Sequence, residues 1–359
     1  MFDYLHVSDD IAVRVQGPDM HATVVGIFRA LGTPDADAKR SADALLYADL
    51  HGIDSHGVSN MLRYYVSLIQ EGKLNPAPVM KVVRDAPAIA TVDSDNGLGL
   101  TIGPQAMELA IQKAEVCGMG AVAVNNGQHF GAAGYHAQLA STRDLIGIAM
   151  SQGGVYMMPT YGATPMLGVN PIGFAAPART EAPFIFDASS SSVAVNKIIL
   201  AQRLGVNIPG GWVAKTDGTP VLEEGPAPQE FRMLPVGGTR ENGSHKAYSL
   251  AVLADILCGV LSGGGPAFAE RPGICHHFIA YRIDAFTDIE AFKDDMDHFM
   301  KSLRECQPAP GHERVLYAGL PEHEAYQDRS VNGIPYHPEV IEWFGKVTAE
   351  LGITCSWDN

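Results

Sequence analysis

Two histidines, an aspartate and two serines lie within the ten residues 51–60, HGIDSHGVSN. An imidazole has an ordinary pKa of about 6.5, so His56 can donate or accept a proton near neutral pH. His51 and His56 fall on different faces of any continuous helix, and no cysteine or glutamate beside them completes a zinc site. The stretch therefore favours proton transfer by His56, and a purely structural histidine is the alternative interpretation.

Three other segments carry residues that could take part in catalysis or ligand binding: NNGQHFGAAGYHAQLA, FIFDASSSSVAVNK and GGTRENGSHKAYSL. His129 lies between a predicted strand and a predicted helix, among glycines that allow close backbone approach. Asp187 follows an apolar strand and precedes a run of hydroxyls, which suits either a histidine partner or cofactor phosphates, with a capping turn as the alternative. His245 and Lys246 stand at a helix start, which indicates either an anion site or a solvated loop.

The segment ATVDSDNGLGLTIGPQAMELAIQKA resembles a dinucleotide fingerprint, because a strand, closely spaced glycines and a helix follow one another. Its Gly97, Gly99 and Gly103 have a spacing one residue longer than G-x-G-x-x-G, and the next predicted strand ends without an acid that could hold a ribose. A turn with close helix packing is therefore favoured over a phosphate cradle.

Helices and strands must position these groups. The segment DADAKRSADALLYADL and the segment SNMLRYYVSLIQ both have helical spacing of apolar residues, so residues 51–60 form a bend between two helices. Short β-branched runs and glycine turns follow from about residue 75. The pattern predicts a mixed α/β fold with a helical lobe formed by residues 1–75 and 325–359, and a mixed-sheet region for cofactor and substrate at 76–324.

Composition narrows the class of protein. The 359 residues carry a net charge of −15, which argues against a nucleic-acid partner, because phosphate binding needs clustered lysine and arginine. The N-terminus lacks a signal-peptide pattern and no apolar run is long enough to span a membrane, which predicts a cytoplasmic protein. Five widely spaced cysteines without a C-x-x-C pair indicate reduced thiols.

Taken together, ADLHGIDSHGVSNMLRYY, NNGQHFGAAGYHAQLA, GVNPIGFAAPA, FDASSSSVAVNK and GSHKAYSLAVLADILCGVLSGG resemble the type-2 malate/L-lactate dehydrogenase family of NAD(P)-dependent oxidoreductases. Relatives in that family include sulfolactate, ureidoglycolate and diketogulonate dehydrogenases or reductases. The resemblance implies a non-Rossmann nicotinamide-binding fold, NAD or NADP as cofactor, a small-molecule substrate and a homodimer.

The resemblance also implies roles for individual residues. His56 corresponds to the catalytic histidine of an S-H-G motif with Ser55 beside it, Asp187 to the acid that pairs with this histidine, and His129 to a histidine near substrate and an alternative proton carrier. In this hypothesis Asp187 accepts an N–H of His56 and raises its pKa. The residues implied to contact the cofactor are Asp187, Ala188, Ser189, Ser190, Ser191, His245, Lys246, Asn170, Pro171 and the segment 319–322 with Glu322.

The substrate anchor departs from the family pattern. Many relatives have an arginine where this chain has Asn60, and an amide cannot replace the bidentate fork of a guanidinium. Asn60 and Arg63 are therefore the substrate-binding candidates, and a 2-hydroxy acid or 2-oxo acid is the leading substrate. The alternatives are a cyclic imino-acid reductase, a binding protein without catalysis, and a metal-dependent hydrolase that uses His51, His56 and His129.

Overall fold

The computed structural model describes residues 5–269, 271 and 273–358. The helices are α1 (Gly17–Ala30), α2 (Asp35–Leu50), α3 (Val58–Gln70), α4 (Gly99–Cys117), α5 (Ala133–Ser141), α6 (Val195–Leu204), α7 (Ser244–Asp255), α8 (Ile289–Arg304), α9 (Leu320–Asn332) and α10 (Pro338–Leu351). The longer strands are β2 (Lys81–Asp85), β3 (Ile89–Asp93), β4 (Met119–Gly127), β5 (Leu145–Ser151), β6 (Ile172–Ala176), β7 (Phe184–Ala188) and β12 (Ile274–Arg282). The short strands are β1 (Val13–Val15), β8 (Asn207–Ile208), β9 (Val213–Ala214), β10 (Gly225–Pro226), β11 (Arg232–Met233) and β13 (Ile334–Tyr336).

The seven longer strands form one sheet in the order β2-β3-β4-β12-β5-β6-β7. Among the strands described, only the β3–β4 pair of this sheet is parallel, and α4 makes the connection between these two strands. Strand β12 enters late in the chain and pairs antiparallel with both β4 and β5. A Rossmann sheet is built from parallel strands, so this topology confirms the expected mixed α/β, non-Rossmann fold.

Helices cover the sheet on both faces. Helices α4 and α5 pack against β4, β12 and β5, and their buried small residues, among them Ala106, Ala110 and Ala137, let the helices approach the strands closely. On the other side of the sheet, α7 and the π-helical turn Ile256–Val260 that continues it contribute Ala254 and Cys258 to a cluster with Met150.

Both ends of the chain build a separate helical cluster. Its buried residues come from α1, α2 and α3 and from β13 and α10, and they include Phe28, Tyr65, Tyr336 and Phe344. Strand β1 pairs antiparallel with β13, which joins the two ends directly. The limits of the helical lobe at residues 75 and 325 stay a prediction.

Two glycines of the segment that resembles a dinucleotide fingerprint allow close packing. A Cβ at Gly99 would collide with Phe130, and a Cβ at Gly103 would collide with the His136 ring. The start of α4 is buried against these two side chains, which supports the packing interpretation over a phosphate cradle. None of the helices in the described ranges combines the length and the apolar character that a membrane crossing requires.

Candidate active site

The bend after α2, the loop after β4, the end of β7 and the start of α6 meet at one cleft of about 1280 Å³. Its walls include His56, His129, Asp187 and Lys197. An ordinary small-ligand pocket measures roughly 300–1,000 Å³, so this cleft has room for a large ligand together with a small one. Distant segments of sequence thus bring their titratable groups to a shared space.

Asp49 fixes the bend that carries His56. Its Oδ2 accepts the Val58 N–H at 3.1 Å and the Tyr336 hydroxyl at 2.8 Å, so it satisfies an otherwise unpaired amide at the start of α3. A Cβ at Gly57 would collide with the Asp49 carboxylate, which explains the glycine after His56. Burial, followed by the charge of the nearby Asp54 carboxylate, raises the pKa of Asp49 to about 7.

A buried ion pair holds the same bend from the C-terminal side. Arg329 of α9 donates to Asp54 Oδ1 and to the Asp49 carbonyl, each at 2.6 Å, and His6 Nδ1 lies 2.6 Å from Asp54 Oδ2. Burial opposes ionisation of Asp54, but the His6 hydrogen bond and the Arg329 charge hold its pKa below the ordinary value. Groups from both chain ends therefore orient the bend around His56.

The His56 ring has one partner that can both donate and accept. Its Nδ1 lies 2.8 Å from the Ser55 hydroxyl oxygen, and a hydroxyl can serve either the neutral or the protonated ring. Burial, followed by the charge of the Lys197 ammonium, lowers the pKa of His56 to about 4. His56 is therefore neutral at pH 7.

His129 stacks beside His56, with ring centroids 5.7 Å apart and an interplanar angle of 18°. The Tyr65 hydroxyl lies 2.6 Å from His129 Nδ1, and the Gly131 N–H donates to the same nitrogen at 3.3 Å. An amide N–H can only donate, so Nδ1 of the neutral ring accepts and Nε2 carries the proton. Burial, followed by the His56 charge, lowers the pKa of His129 to about 3.

The expected hydrogen bond between Asp187 and His56 is not present among the described residues. Its Oδ2 accepts the Gly134 N–H at 2.7 Å, so β7 caps the start of α5 and steadies the loop that carries His129. The pKa of His56 is lowered, which is opposite to the direction that an Asp187 partner would cause. Asp187 faces the cleft. The surrounding protein removes much of the water around its carboxylate, and this desolvation raises the pKa of Asp187 to about 6.

Part of the expected cofactor segment lies at the cleft. Ala188, Ser189, Ser191, Pro171 and Glu322 line it, and Gly319 lies beside Glu322.

Ser190 and Asn170 do not line the cleft, and their expected role as cofactor contacts stays a prediction. Ser190 donates its N–H to the Val169 carbonyl at 2.7 Å and its hydroxyl to the Asn170 carbonyl at 3.1 Å. The fully buried Asn170 amide accepts from the Gly153 N–H and donates to the Ala251 carbonyl, each at 2.9 Å. Both side chains are committed to cross-linking the backbone.

Arg63, His245 and Lys246 also lie outside the cleft lining, and the expectation that they contact substrate or cofactor stays a prediction. The Arg63 guanidinium sits 5.3 Å from the Trp343 ring centre and 3.6 Å from Glu339, on the outer side of α3. Asn60 does line the cleft, but its Nδ2 donates to the Asp54 carbonyl at 2.6 Å and so helps to hold the bend.

Sequence reasoning missed Lys197, although it ends the run FDASSSSVAVNK. A lysine soon after a hydroxyl-rich run that follows an apolar strand was the available signal. Burial lowers the pKa of Lys197, and the charges of Glu322, Asp187 and Asp54 oppose that change. Its neighbour Asn196 donates to the Ser55 carbonyl at 2.8 Å, which ties the start of α6 to the His56 bend.

Metal binding has no support in the described part of the chain, where no three histidine, cysteine, aspartate or glutamate side chains are grouped to hold an ion. His51 uses its Nδ1 on the Tyr47 carbonyl at 2.8 Å and stacks between Tyr47 and Tyr326.

The residues present fit a nicotinamide dinucleotide. Helix α6 begins at the cleft at Ala194 without a side-chain cap, so its Val195 and Asn196 amides can receive ligand oxygens. Helix α9 also begins there, at Gly319, but its Leu320 N–H donates to the Tyr317 carbonyl at 3.2 Å and Pro321 has no N–H. Gly319 has φ +91°, and a Cβ there would crowd the Ile185 carbonyl.

Comparison with known proteins agrees with this architecture. The family model described as malate/L-lactate dehydrogenase matches residues 15–344. A malate dehydrogenase of Pyrococcus abyssi is 36% identical over 98% of this chain and 99% of its own length. An L-sulfolactate dehydrogenase of Methanocaldococcus jannaschii is 32% identical over 92% of this chain and 95% of its own.

The solved structure of malate dehydrogenase from Pyrococcus horikoshii OT3 superposes with a TM-score of 0.89 at 32% identity and covers 98% of both chains. The fold is that of the hydroxy-acid dehydrogenase class of oxidoreductases. The chain belongs to the malate/L-lactate dehydrogenase family. Membership of this dehydrogenase family implies a nicotinamide cofactor.

Proposed function

We propose that the protein transfers a hydride between NAD or NADP and a small 2-hydroxy acid or 2-oxo acid, with His56 as the proton carrier. The observation that carries the proposal is the stacked pair of His56 and His129 in the wall of a cleft large enough for a dinucleotide. In the described residues, the Nε2 atom of each ring has no hydrogen-bond partner.

The two rings have different hydrogen-bond environments and therefore different roles. His129 is held with its proton on Nε2, so it can donate a hydrogen bond to a substrate oxygen and polarise the carbonyl while staying neutral. Its low pKa, about 3, keeps it in this form. We assign His129 to orienting the substrate oxygen, together with the loop that Asp187 steadies.

His56 can gain and lose a proton at Nε2 without losing its partner, because the Ser55 hydroxyl oxygen accepts the Nδ1–H of the ring in both states. In oxidation the neutral ring accepts the hydroxyl proton of the substrate. In reduction the protonated ring returns a proton to the carbonyl oxygen. A bound nicotinamide ring supplies or accepts the hydride.

The cofactor is assigned to the segments that line the cleft beside these rings. Ala188 ends β7, and Ser189 and Ser191 follow it. Pro171 directly precedes the neighbouring strand β6, and Glu322 lies in the first turn of α9. These residues, with the uncapped start of α6, would hold the dinucleotide. We further propose that two chains associate as a homodimer.

The proposal is tested by mixing the purified protein with NADH or NADPH and a panel of 2-oxo acids while following absorbance of the reduced cofactor. We expect turnover with at least one cofactor. The His56→Gln variant should turn over about 10²–10⁴-fold more slowly, because general acid–base catalysis contributes on that scale. Cofactor binding, measured by fluorescence of the reduced nicotinamide, should stay nearly unchanged.

His298→Gln provides the matched control. His298 lies on α8, away from the cleft, so its replacement should affect neither turnover nor cofactor fluorescence. An absence of turnover with every acid and both cofactors would contradict the proposed reaction, and full turnover by His56→Gln would remove His56 from it.

A further inference from the structure

The cleft has an uneven distribution of charge. Within residues 5–269, 271 and 273–358, Lys197 is the one lysine or arginine side chain that lines it. Three acids, Asp54, Asp187 and Glu322, line the same space. An anionic substrate therefore meets a single strong cationic group on this chain.

Lys197 lies at the reactive end of the cleft. It is in the first turn of α6, and the preceding Asn196 is hydrogen-bonded to the Ser55 carbonyl beside His56. Its charge is also felt by the His56 ring and by Asp187. In a 2-oxo acid the carboxylate is bonded directly to the carbonyl carbon, so a cation next to the proton carrier is well placed for that carboxylate.

The two arginines nearest the bend, Arg63 and Arg329, do not reach the cleft. Arg63 is one helical turn from the bend, but its guanidinium stays between Trp343 and Glu339. Arg329 is buried behind the bend, where Asp54 and the Asp49 carbonyl occupy it. Neither residue lines the cleft, so neither offers a second positive charge there.

The acids make a second substrate carboxylate unfavourable. Glu322 and Asp187 both face the cleft, and both act on Lys197. Like charges repel most where solvent is reduced, so a dicarboxylate would bring its distal group into an acidic region without a cation to meet it. A distal amide, hydroxyl or alkyl group avoids this repulsion.

We propose that Lys197 binds the carboxylate next to the reacting carbon, and that the cleft consequently selects monocarboxylate 2-hydroxy and 2-oxo acids over dicarboxylates. This proposal rests on the proposed function. It also separates this chain from the Pyrococcus relatives, which are named for malate, a dicarboxylate.

A matched substrate pair tests the selectivity. 2-Oxosuccinate and its 4-amide have nearly the same size, but the amide carries one negative charge instead of two. We expect kcat/KM of the wild-type protein to be at least about tenfold higher for the amide, which is the effect of one unfavourable charge contact of roughly one pKa unit in energy. A preference for 2-oxosuccinate would overturn the selectivity.

Variants of Lys197 test the anchor. Lys197→Met should raise KM for the amide about 10- to 100-fold, as expected when a charge-assisted hydrogen bond is lost. Lys197→Arg keeps the charge and should recover much of the affinity. Lys346→Met is the matched control, because Lys346 is exposed on α10, is paired with Glu342 and does not line the cleft.

Fluorescence titration with NADH separates substrate binding from cofactor binding. We expect the dissociation constant of NADH to change by no more than about threefold in Lys197→Met. An equal loss of NADH affinity would assign Lys197 to the cofactor and overturn the anchor. Wild-type turnover of 2-oxo acids without an effect in Lys197→Met would contradict this inference alone, whereas no turnover of any 2-oxo acid would contradict the proposed function.

Discussion

At the scale of single residues, hydrogen-bond partners distinguish two histidines that look alike in the sequence. The motif SHG predicts that His56 transfers a proton, and in the folded protein His56 lies beside His129 in the wall of the cleft. The role of Asp187 could not be predicted from the sequence, because the tertiary fold decides which N–H donates to its carboxylate. In the folded protein that N–H belongs to Gly134, and Asp187 positions a loop.

The role of Asp187 leads to a specific expectation for Asp187→Asn. An asparagine oxygen can still accept the Gly134 N–H, and Asp187 is not the partner of His56, so the pH dependence of reduction should stay unchanged. Measuring kcat/KM for reduction across pH 5 to 8 in both proteins checks this. A bend in the wild-type profile between pH 5 and 8 that is absent in Asp187→Asn would show that Asp187 acts on the proton carrier after all.

At the scale of elements, the site depends on a bend that both chain ends hold. The periodicity of α2 and α3 predicts the bend, but the groups that fix it come from distant segments: Asp54 meets Arg329 and His6, and Asp49 meets Tyr336. Such long-range pairs leave no local pattern. Helices α6 and α9 have weak apolar spacing and depend on the same kind of distant contact, so the sequence does not predict them.

The close approach of Asp49 to Gly57 gives an expectation for Gly57→Ala. The new methyl group would collide with the carboxylate and should destabilise the protein by about 1–3 kcal/mol. In an Asp49→Ala background the collision is absent, so the same substitution should cost less. Urea denaturation of the four proteins measures both costs.

Gly345→Ala is the control for this double-mutant cycle of Asp49 and Gly57. Gly345 is inside α10, and a Cβ there would meet nothing within 4 Å beyond the backbone of its own helix, so alanine should be neutral or stabilising by about 0.5–1 kcal/mol. Equal costs of Gly57→Ala with and without Asp49 would contradict the proposed contact.

At the scale of the whole molecule, an apolar surface on α7 and the following π-helical turn supports the homodimer. Leu250, Leu253, Ile256 and Val260 are each between 46% and 51% exposed and recur every three or four residues. A second copy that covers them would bury a continuous apolar stripe. We expect Leu253→Glu combined with Ile256→Glu to dissociate the protein into 38.3 kDa chains.

Light scattering after size exclusion checks the dimer. The wild-type protein should have twice the mass of one chain, and Val116→Glu, a change at an 82% exposed residue on α4, should remain dimeric. A wild-type protein with the mass of one chain would rule out the homodimer.

The fold class is largely predictable from the sequence, and the topology is not. Strand-forming runs and glycine turns indicate a mixed α/β protein, and the runs at β2, β3, β4, β5 and β7 are all strands. The insertion of β12 between β4 and β5 depends on pairing across more than a hundred residues, which local periodicity does not encode.

The pH dependence of reduction in His56→Gln and His129→Gln distinguishes which of the two histidines carries the proton. A pKa of about 4 means that the protonated form of His56 declines as pH rises, so kcat/KM for reduction by the wild-type protein should fall about tenfold per pH unit between pH 5 and 8. We expect His56→Gln to lose this slope and His129→Gln to keep it at a lower rate. A slope that persists in His56→Gln and disappears in His129→Gln would contradict the assignment of His56 as proton carrier.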